Sequence, residues 1–287
     1  MNRQLIELYD EYTHGGLGRR DFLRRLGQIA GGAAAAAALL PLLENRCALA
    51  ATVAQDDPAL KTARAGFDGP AGRVACYVAH PADGSGRYAA VIVIHENRGL
   101  NAHIEDVARR LAMAGFLAIA PDALSGSGGT PADEDEARRR ISALDTEAAL
   151  GLYLAALRHA ARHERGTGQV GCVGFCWGGG ISGRLAARST ELTAAVVFYG
   201  MPPAAEEAAM IRVPLLLHYA GRDTRINDAV PVFEATLKAA GARYELHMVP
   251  DVDHAFHNDT NAARYNADAA KLAWHRTVAF FTRELDS

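Results

Sequence analysis

The chain has 287 residues, 49% hydrophobic and 22% charged, with 30 Lys and Arg against 33 Asp and Glu and a formal net charge of −3. Such length and apolar content suit one large domain with a sizeable core. The near-balanced charge, with no basic block and no aromatic-interleaved patch, argues against nucleic acid as a partner.

The first fifty residues read separately from the rest. Leu5 to Tyr12 patterns as a short polar–apolar helix. Gly18-Arg19-Arg20-Asp21-Phe22-Leu23-Arg24 is a twin-arginine pattern, Arg25 extends its positive stretch, and an alanine-rich apolar run follows from Leu26 to Leu43. Ala48-Leu49-Ala50 then offers a small-x-small cleavage site. Glycines and Pro41 dilute the apolar run, so no stable membrane span is expected in the mature chain. Residues 1–50 are expected to be a twin-arginine signal segment that engages the Tat export machinery. That machinery carries folded proteins, so the destination is expected to be periplasmic or beyond. Residues 51–287 are expected to form the folded domain. Its three cysteines are Cys76, Cys172 and Cys176, and the first two lie in strand-like apolar patterns that suit buried free thiols.

From about residue 70 strand-like and helix-like segments alternate. Arg73–Ala79 reads as an edge or antiparallel strand, and Ala89–Ile94 as a strand buried on both faces. A helix is expected over Ile104–Ala114 and a strand over Phe116–Ala120, followed by a Gly/Ser loop over 125–131. Helices are expected at 132–143 and 146–163, a strand over Val170–Phe175 and a helix over Trp177–Arg188. Ala194–Tyr199, Pro214–Tyr219 and Tyr244–Val249 read as further strands, Val230–Ala240 as a helix, and Asn261–Leu285 as a long C-terminal helix. Repeated βα units imply a single-domain, doubly wound, mostly parallel sheet with chemistry at the C-terminal strand ends.

Gly174-Phe175-Cys176-Trp177-Gly178 lies at such an end. It has the G-x-nucleophile-x-G pattern of a strand-to-helix elbow, with cysteine where serine usually stands. A helix N-terminus favours the thiolate there. A cysteine nucleophile needs a base, and the base an orienting acid. Gly221-Arg222-Asp223 and Asp251-Val252-Asp253-His254 follow the next two strands in the order acid, then histidine. Asp223 is expected as the acid and His254 as the base, with Asp251, Asp253 and His257 as rivals. Ile94-His95-Glu96-Asn97-Arg98-Gly99 ends the first buried strand. The backbone N–H groups of Asn97 and Trp177 are expected to form the oxyanion hole.

Together, the elbow G-F-C-W-G-G, the G-R-D turn, the D-H-A-F-H segment and the I-H-E-N-R-G strand end resemble the dienelactone hydrolases (carboxymethylenebutenolidases) of the α/β-hydrolase superfamily. The resemblance runs from about residue 66 to the C-terminus. It implies an α/β-hydrolase fold, a Cys176–His254–Asp223 triad, and a part for Glu96 in activating the thiol by switching partners when substrate binds. Best-studied members carry a substrate-gripping arginine four residues after the histidine, where this chain has Asn258. A second such arginine precedes the middle helices, with Arg138, Arg139 and Arg140 as candidates. Arg98, Arg139, Phe256 and His257 are the expected substrate contacts.

The expected reaction is hydrolysis of a small lactone or ester through a thioester, with no cofactor. The histidines lack H-E-x-x-H or comparable spacing, so no metal is expected. The alternatives are a general small-ester esterase with the same triad, and an exported thiol sensor or binding protein on the same fold.

Overall fold

A computed structural model describes residues 3–44, 52–83 and 86–286. Eight strands make one sheet: β1 (Leu60–Gly69), β2 (Gly72–Pro81), β3 (Tyr88–Ile94), β4 (Leu117–Pro121), β5 (Gly166–Phe175), β6 (Ala194–Phe198), β7 (Leu215–Ala220) and β8 (Tyr244–Val249). Their order is β1-β2-β4-β3-β5-β6-β7-β8. The β1–β2 hairpin is antiparallel and β2 runs antiparallel to β4, whereas every neighbouring pair from β4 to β8 is parallel. This is the α/β-hydrolase arrangement.

The helices are α1 (Arg3–His14), α2 (Arg19–Ala30), α3 (Ala33–Leu43), α4 (Ala102–Met113), α5 (Glu134–Ser142), α6 (Thr146–Ala161), α7 (Trp177–Arg188), α8 (Ala205–Ala208), α9 (Thr224–Asn227), α10 (Val230–Ala239) and α11 (Ala267–Leu285). Two apolar clusters cover the two faces of the sheet. One joins α6, α7 and α10 through residues such as Leu150, Ile181 and Phe233, and the other joins α4 and α11 through Ile104, Leu111 and Phe281. Strand β3 and residues 170–175 of β5 lie between them and are almost wholly buried, as their apolar runs imply.

Two differences from expectation have local causes. Strand β1 lacks a clean apolar alternation, with only Leu60 and Phe67 buried, and it covers β2, which is therefore antiparallel but not an edge. The C-terminal helix starts at Ala267 because Asn266 caps it, its side chain accepting from Ala269 N at 3.0 Å. At the N-terminus, α1, α2 and α3 fold together around Leu8, Tyr9, Tyr12, Phe22, Leu26 and Leu43. No helix among the described residues is long and apolar enough to cross a membrane. The Ala48–Ala50 cleavage motif lies outside the described residues. Cys76 and Cys172 are buried and free, as expected.

Candidate active site

Cys176 ends β5 and opens α7 with φ 54° and ψ −115°, a conformation that costs an ordinary residue about 1–3 kcal/mol. Its backbone N–H donates to Phe198 O at 3.0 Å, tying the elbow to the end of β6. A side chain at 174 would overlap the Gly178 carbonyl, and one at 178 would overlap the carbonyls of Ile94 and His95. Only glycine passes at these two positions, so the elbow packs directly on the ends of β3 and β6. Trp177 is the first residue of α7, and its N–H has no acceptor within the helix.

His254 follows β8, and its Nδ1 lies 2.5 Å from Asp223 Oδ2 beyond β7. Both side chains are buried. His254 Nε2 has no hydrogen-bond partner among the described residues, and a ring nitrogen of His254 lies within 4.8 Å of Cys176 Sγ. The rival acids are elsewhere. Asp251 is 88% exposed beside Arg222, and Asp253 also faces Arg222. His257 is buried among Phe175, Phe198 and Trp274.

A second histidine reaches the sulfur, from a segment where none was expected. His14, the last residue of α1, places Nε2 3.2 Å from Cys176 Sγ. Its Nδ1 lies 3.1 Å from Asp10 Oδ1, and its ring meets that of His254 edge-on at 4.5 Å. Burial pushes the Cys176 thiol up, but the charges of His14 and His254 and the His14 hydrogen bond outweigh it and bring it down to about 6. Burial in turn disfavours charge on His254, yet the sulfur and Asp223 raise it to about 10. The site therefore holds thiolate and imidazolium between those values.

Glu96 is buried but does not hydrogen-bond the sulfur. Its Oε1 accepts from Tyr199 Oη at 3.3 Å and its Oε2 from Asn258 Nδ2 at 2.5 Å. Asn258 thus grips Glu96 from the position where the resemblance placed an arginine. His95, next in line, accepts from Ala123 N and contacts the Glu96 carbonyl, a structural pairing of a buried ring.

A cavity of about 390 Å³ opens beside the sulfur. Its walls include Asn97, Cys176, Trp177, Tyr199 and His254, together with His14. The expected substrate contacts do not line it. Arg98 is buried and donates to Glu134 and Tyr9, Arg139 is exposed and pairs with Glu136, and Phe256 packs behind Tyr199. Of the three arginine candidates, Arg138 reaches the cavity, alongside Arg184 and Arg225, which sequence reasoning missed. The helical period of α5 distinguishes Arg138 from Arg139, but only once the register of α5 is known.

A family model described as the dienelactone hydrolase family matches residues 74–285, and a separate model described as YqhI-like matches residues 1–31. Two curated proteins named "Putative carboxymethylenebutenolidase" are similar to the chain. One, from Yersinia pestis, is 34% identical over 222 residues, covering 72% of this chain and 82% of its own length. The other, from Escherichia coli K12, is 32% identical over 249 residues, covering 81% and 91%. A crystal structure named for a "Putative Dienelactone Hydrolase" from Klebsiella pneumoniae matches with TM-score 0.72 and 31% identity, covering 78% of this chain and 99% of that one.

Alkylation of Cys176 by iodoacetamide is expected to rise with pH through a midpoint near 6, since the reactive thiolate forms as pH passes that value. Cys76 and Cys172, pushed by burial to about 11 and about 12, should remain unlabelled in the folded protein. Mass spectrometry of the labelled protein checks both outcomes; a Cys176 midpoint above about 8 would contradict the charge arrangement.

Proposed function

The chain belongs to the dienelactone hydrolase family and is a carboxylic ester hydrolase, and we propose that it cleaves a small lactone or ester through a thioester on Cys176. The observation that carries this reading is His254, buried, bonded to Asp223 through Nδ1, with Nε2 unpartnered among the described residues and a ring nitrogen within 4.8 Å of the sulfur beside an open cavity.

In the proposed cycle the thiol proton passes to His254, whose charge Asp223 stabilises. The thiolate then attacks the carbonyl carbon. The N–H groups of Asn97 and Trp177 receive the oxyanion. As the adduct collapses, the C–O bond breaks and the leaving oxygen takes the proton from His254. His254 next takes a proton from water, the hydroxide attacks the thioester, and the C–S bond breaks. Glu96 acts at one remove: with its carboxylate held by Tyr199 and Asn258, it contributes by fixing the wall of the site.

Substrate preference is read from the cavity. Ile141, Trp177, Met201 and Ile226 offer apolar walls, and Arg138, Arg184 and Arg225 bring positive charge. Arg184 is paired with Glu207 and Arg138 donates to the Tyr12 carbonyl. Arg225 is exposed and makes no ion pair among the described residues. We assign it as the anchor for a substrate carboxylate. A second reading, a general small-ester esterase, draws on Asn258 standing in the place of an arginine.

Residues 18–25 support a further proposal: export by the twin-arginine route as a folded protein. A tagged full-length chain is then expected in the periplasmic fraction, and replacing Arg19 and Arg20 by Lys should retain it in the cytoplasm; location unaffected by that change would refute export.

Replacing Cys176 by Ala, or His254 by Gln, is expected to lower kcat/KM on an activated ester by at least about 10³-fold. Retention of activity by Cys176→Ala would overturn the thioester. Arg225→Ala should raise KM about tenfold for a carboxylate-bearing lactone and leave a neutral ester untouched. Equal effects on both substrates would favour the general esterase.

A further inference from the structure

The hydrolase fold does not account for His14. We propose that His14, held by Asp10, is a second imidazole partner of the nucleophile, so that the N-terminal helices are part of the working active site. The proposal rests on the reading of Cys176 as the nucleophile and adds a residue from outside the segment that matches the hydrolase family, 74–285.

His14 Nε2 lies 3.2 Å from Cys176 Sγ, and its Nδ1 lies 3.1 Å from Asp10 Oδ1 and 3.0 Å from Thr13 Oγ1. Asp10 is fixed from the hydrolase side by Arg264 Nη1 at 2.9 Å. Its carboxyl lies well below the usual range, because the His14 bond and the nearby charges of His254, His14 and Arg264 overcome its burial. The pair therefore repeats Asp223–His254 at the same sulfur, the two rings meeting edge-on at 4.5 Å. The sulfur thus has two imidazoles against it, each with a carboxylate at its other nitrogen. In this arrangement His14 donates Nε2–H to the sulfur, while its Nδ1 lies against Asp10 and Thr13. The thiol proton goes to His254.

Other charged groups around the sulfur are engaged elsewhere. Glu96 is held by Tyr199 and Asn258, Arg98 by Glu134 and Tyr9, and Arg264 by Asp10. The contact between α1 and the body is also built rather than grazing. Asn97 Nδ2 donates to Thr13 O at 3.0 Å, Arg138 Nη1 to Tyr12 O at 3.0 Å, and Arg98 Nη2 to Tyr9 Oη at 2.8 Å. Nor does His14 plug the site, since the 390 Å³ cavity stays open with His14 and Thr13 in its wall. Cleavage after Ala50 would remove Asp10 and His14 together, so the proposal requires residues 1–44 to stay attached in the active enzyme.

The test compares full-length His14→Gln and Asp10→Asn with the parent protein, following iodoacetamide alkylation of Cys176 and kcat/KM on one activated ester across pH. His14→Gln is expected to move the alkylation midpoint up by about one pH unit or more. It should also cut kcat/KM about tenfold near pH 6.5 and recover most of that loss toward pH 9, where the thiol ionises unaided. Asp10→Asn should shift both in the same direction by less. A merely structural role would lower activity equally at every pH and leave the midpoint in place, which overturns the proposal. A rise in activity overturns it too, by making α1 an inhibitory lid. Cys176→Ala separates this from the premise: if that variant still turns over the ester, the nucleophile assignment fails whatever His14 does.

Discussion

The site depends on one backbone constraint, the left-handed turn at Cys176. A residue held at φ 54° between a strand and a helix persists only where its surroundings leave no alternative. Here they are supplied by contact. Gly174 passes under the carbonyl of Gly178, Gly178 passes under those of Ile94 and His95, and the Cys176 N–H is anchored on Phe198. The elbow therefore draws the ends of β3, β5 and β6 to one point, and β7 and β8 follow by their parallel register. Glu96, Tyr199, Asp223 and His254 occupy the ends of those same strands. Their convergence is a property of the sheet once the turn is made, and a side chain on Gly178 would push β3 and its loop out of it.

Electrostatics settles what the turn presents. A thiolate excluded from water is costly, and burial alone would have pushed Cys176 upward, as it does for Cys76 and Cys172. The difference between these three buried thiols is their neighbours. Cys172 has a single hydroxyl, that of Ser182, at 3.2 Å, whereas Cys176 has two imidazoles each backed by a carboxylate. Keeping Glu96 on Asn258 and Tyr199 spares the thiolate a like charge at close range. The Asn258 substitution thus has a local electrostatic consequence, whatever its effect on substrate choice.

What could be read from the sequence follows from which features are local. The elbow, the strands with continuous β-branched runs and the acid and histidine after later strands are short patterns with fixed spacing, and each marks an element the fold requires. Strand β1 escaped because a half-exposed hairpin partner carries little periodicity, only Leu60 and Phe67 being buried. Residues 261–266 read as helix until the Asn266 cap fixed where the helix begins. Arg138 and Arg139 are adjacent, and only the orientation of α5 sends one to the cavity and the other to solvent. Arg184 and Arg225 lie on helical segments that nothing in the sequence directs toward Cys176. The His14–Cys176 contact spans 162 residues and has no sequence signature of its own.

The N-terminal segment shows why a motif does not by itself exclude a structural role. On α2 the helical period sends Phe22 and Leu26 inward against Tyr9 and Tyr12, while Arg20 and Arg24 are exposed, Arg19 pairs with Asp135 and Arg25 with Glu11. The arginine pattern and the packing pattern use different residues of one helix, Arg19 and Arg25 flanking the apolar stripe, so a single sequence can satisfy both. An export address needs the arginines and the apolar run; a docked helix needs Phe22 and Leu26 at their spacing. Neither demand constrains Asp10 or His14. Those two residues lie four apart on α1, one turn from each other, with Asp10 against Arg264 and His14 against the sulfur. That placement has no use in an address and is what an acid–base pair beside a thiol requires.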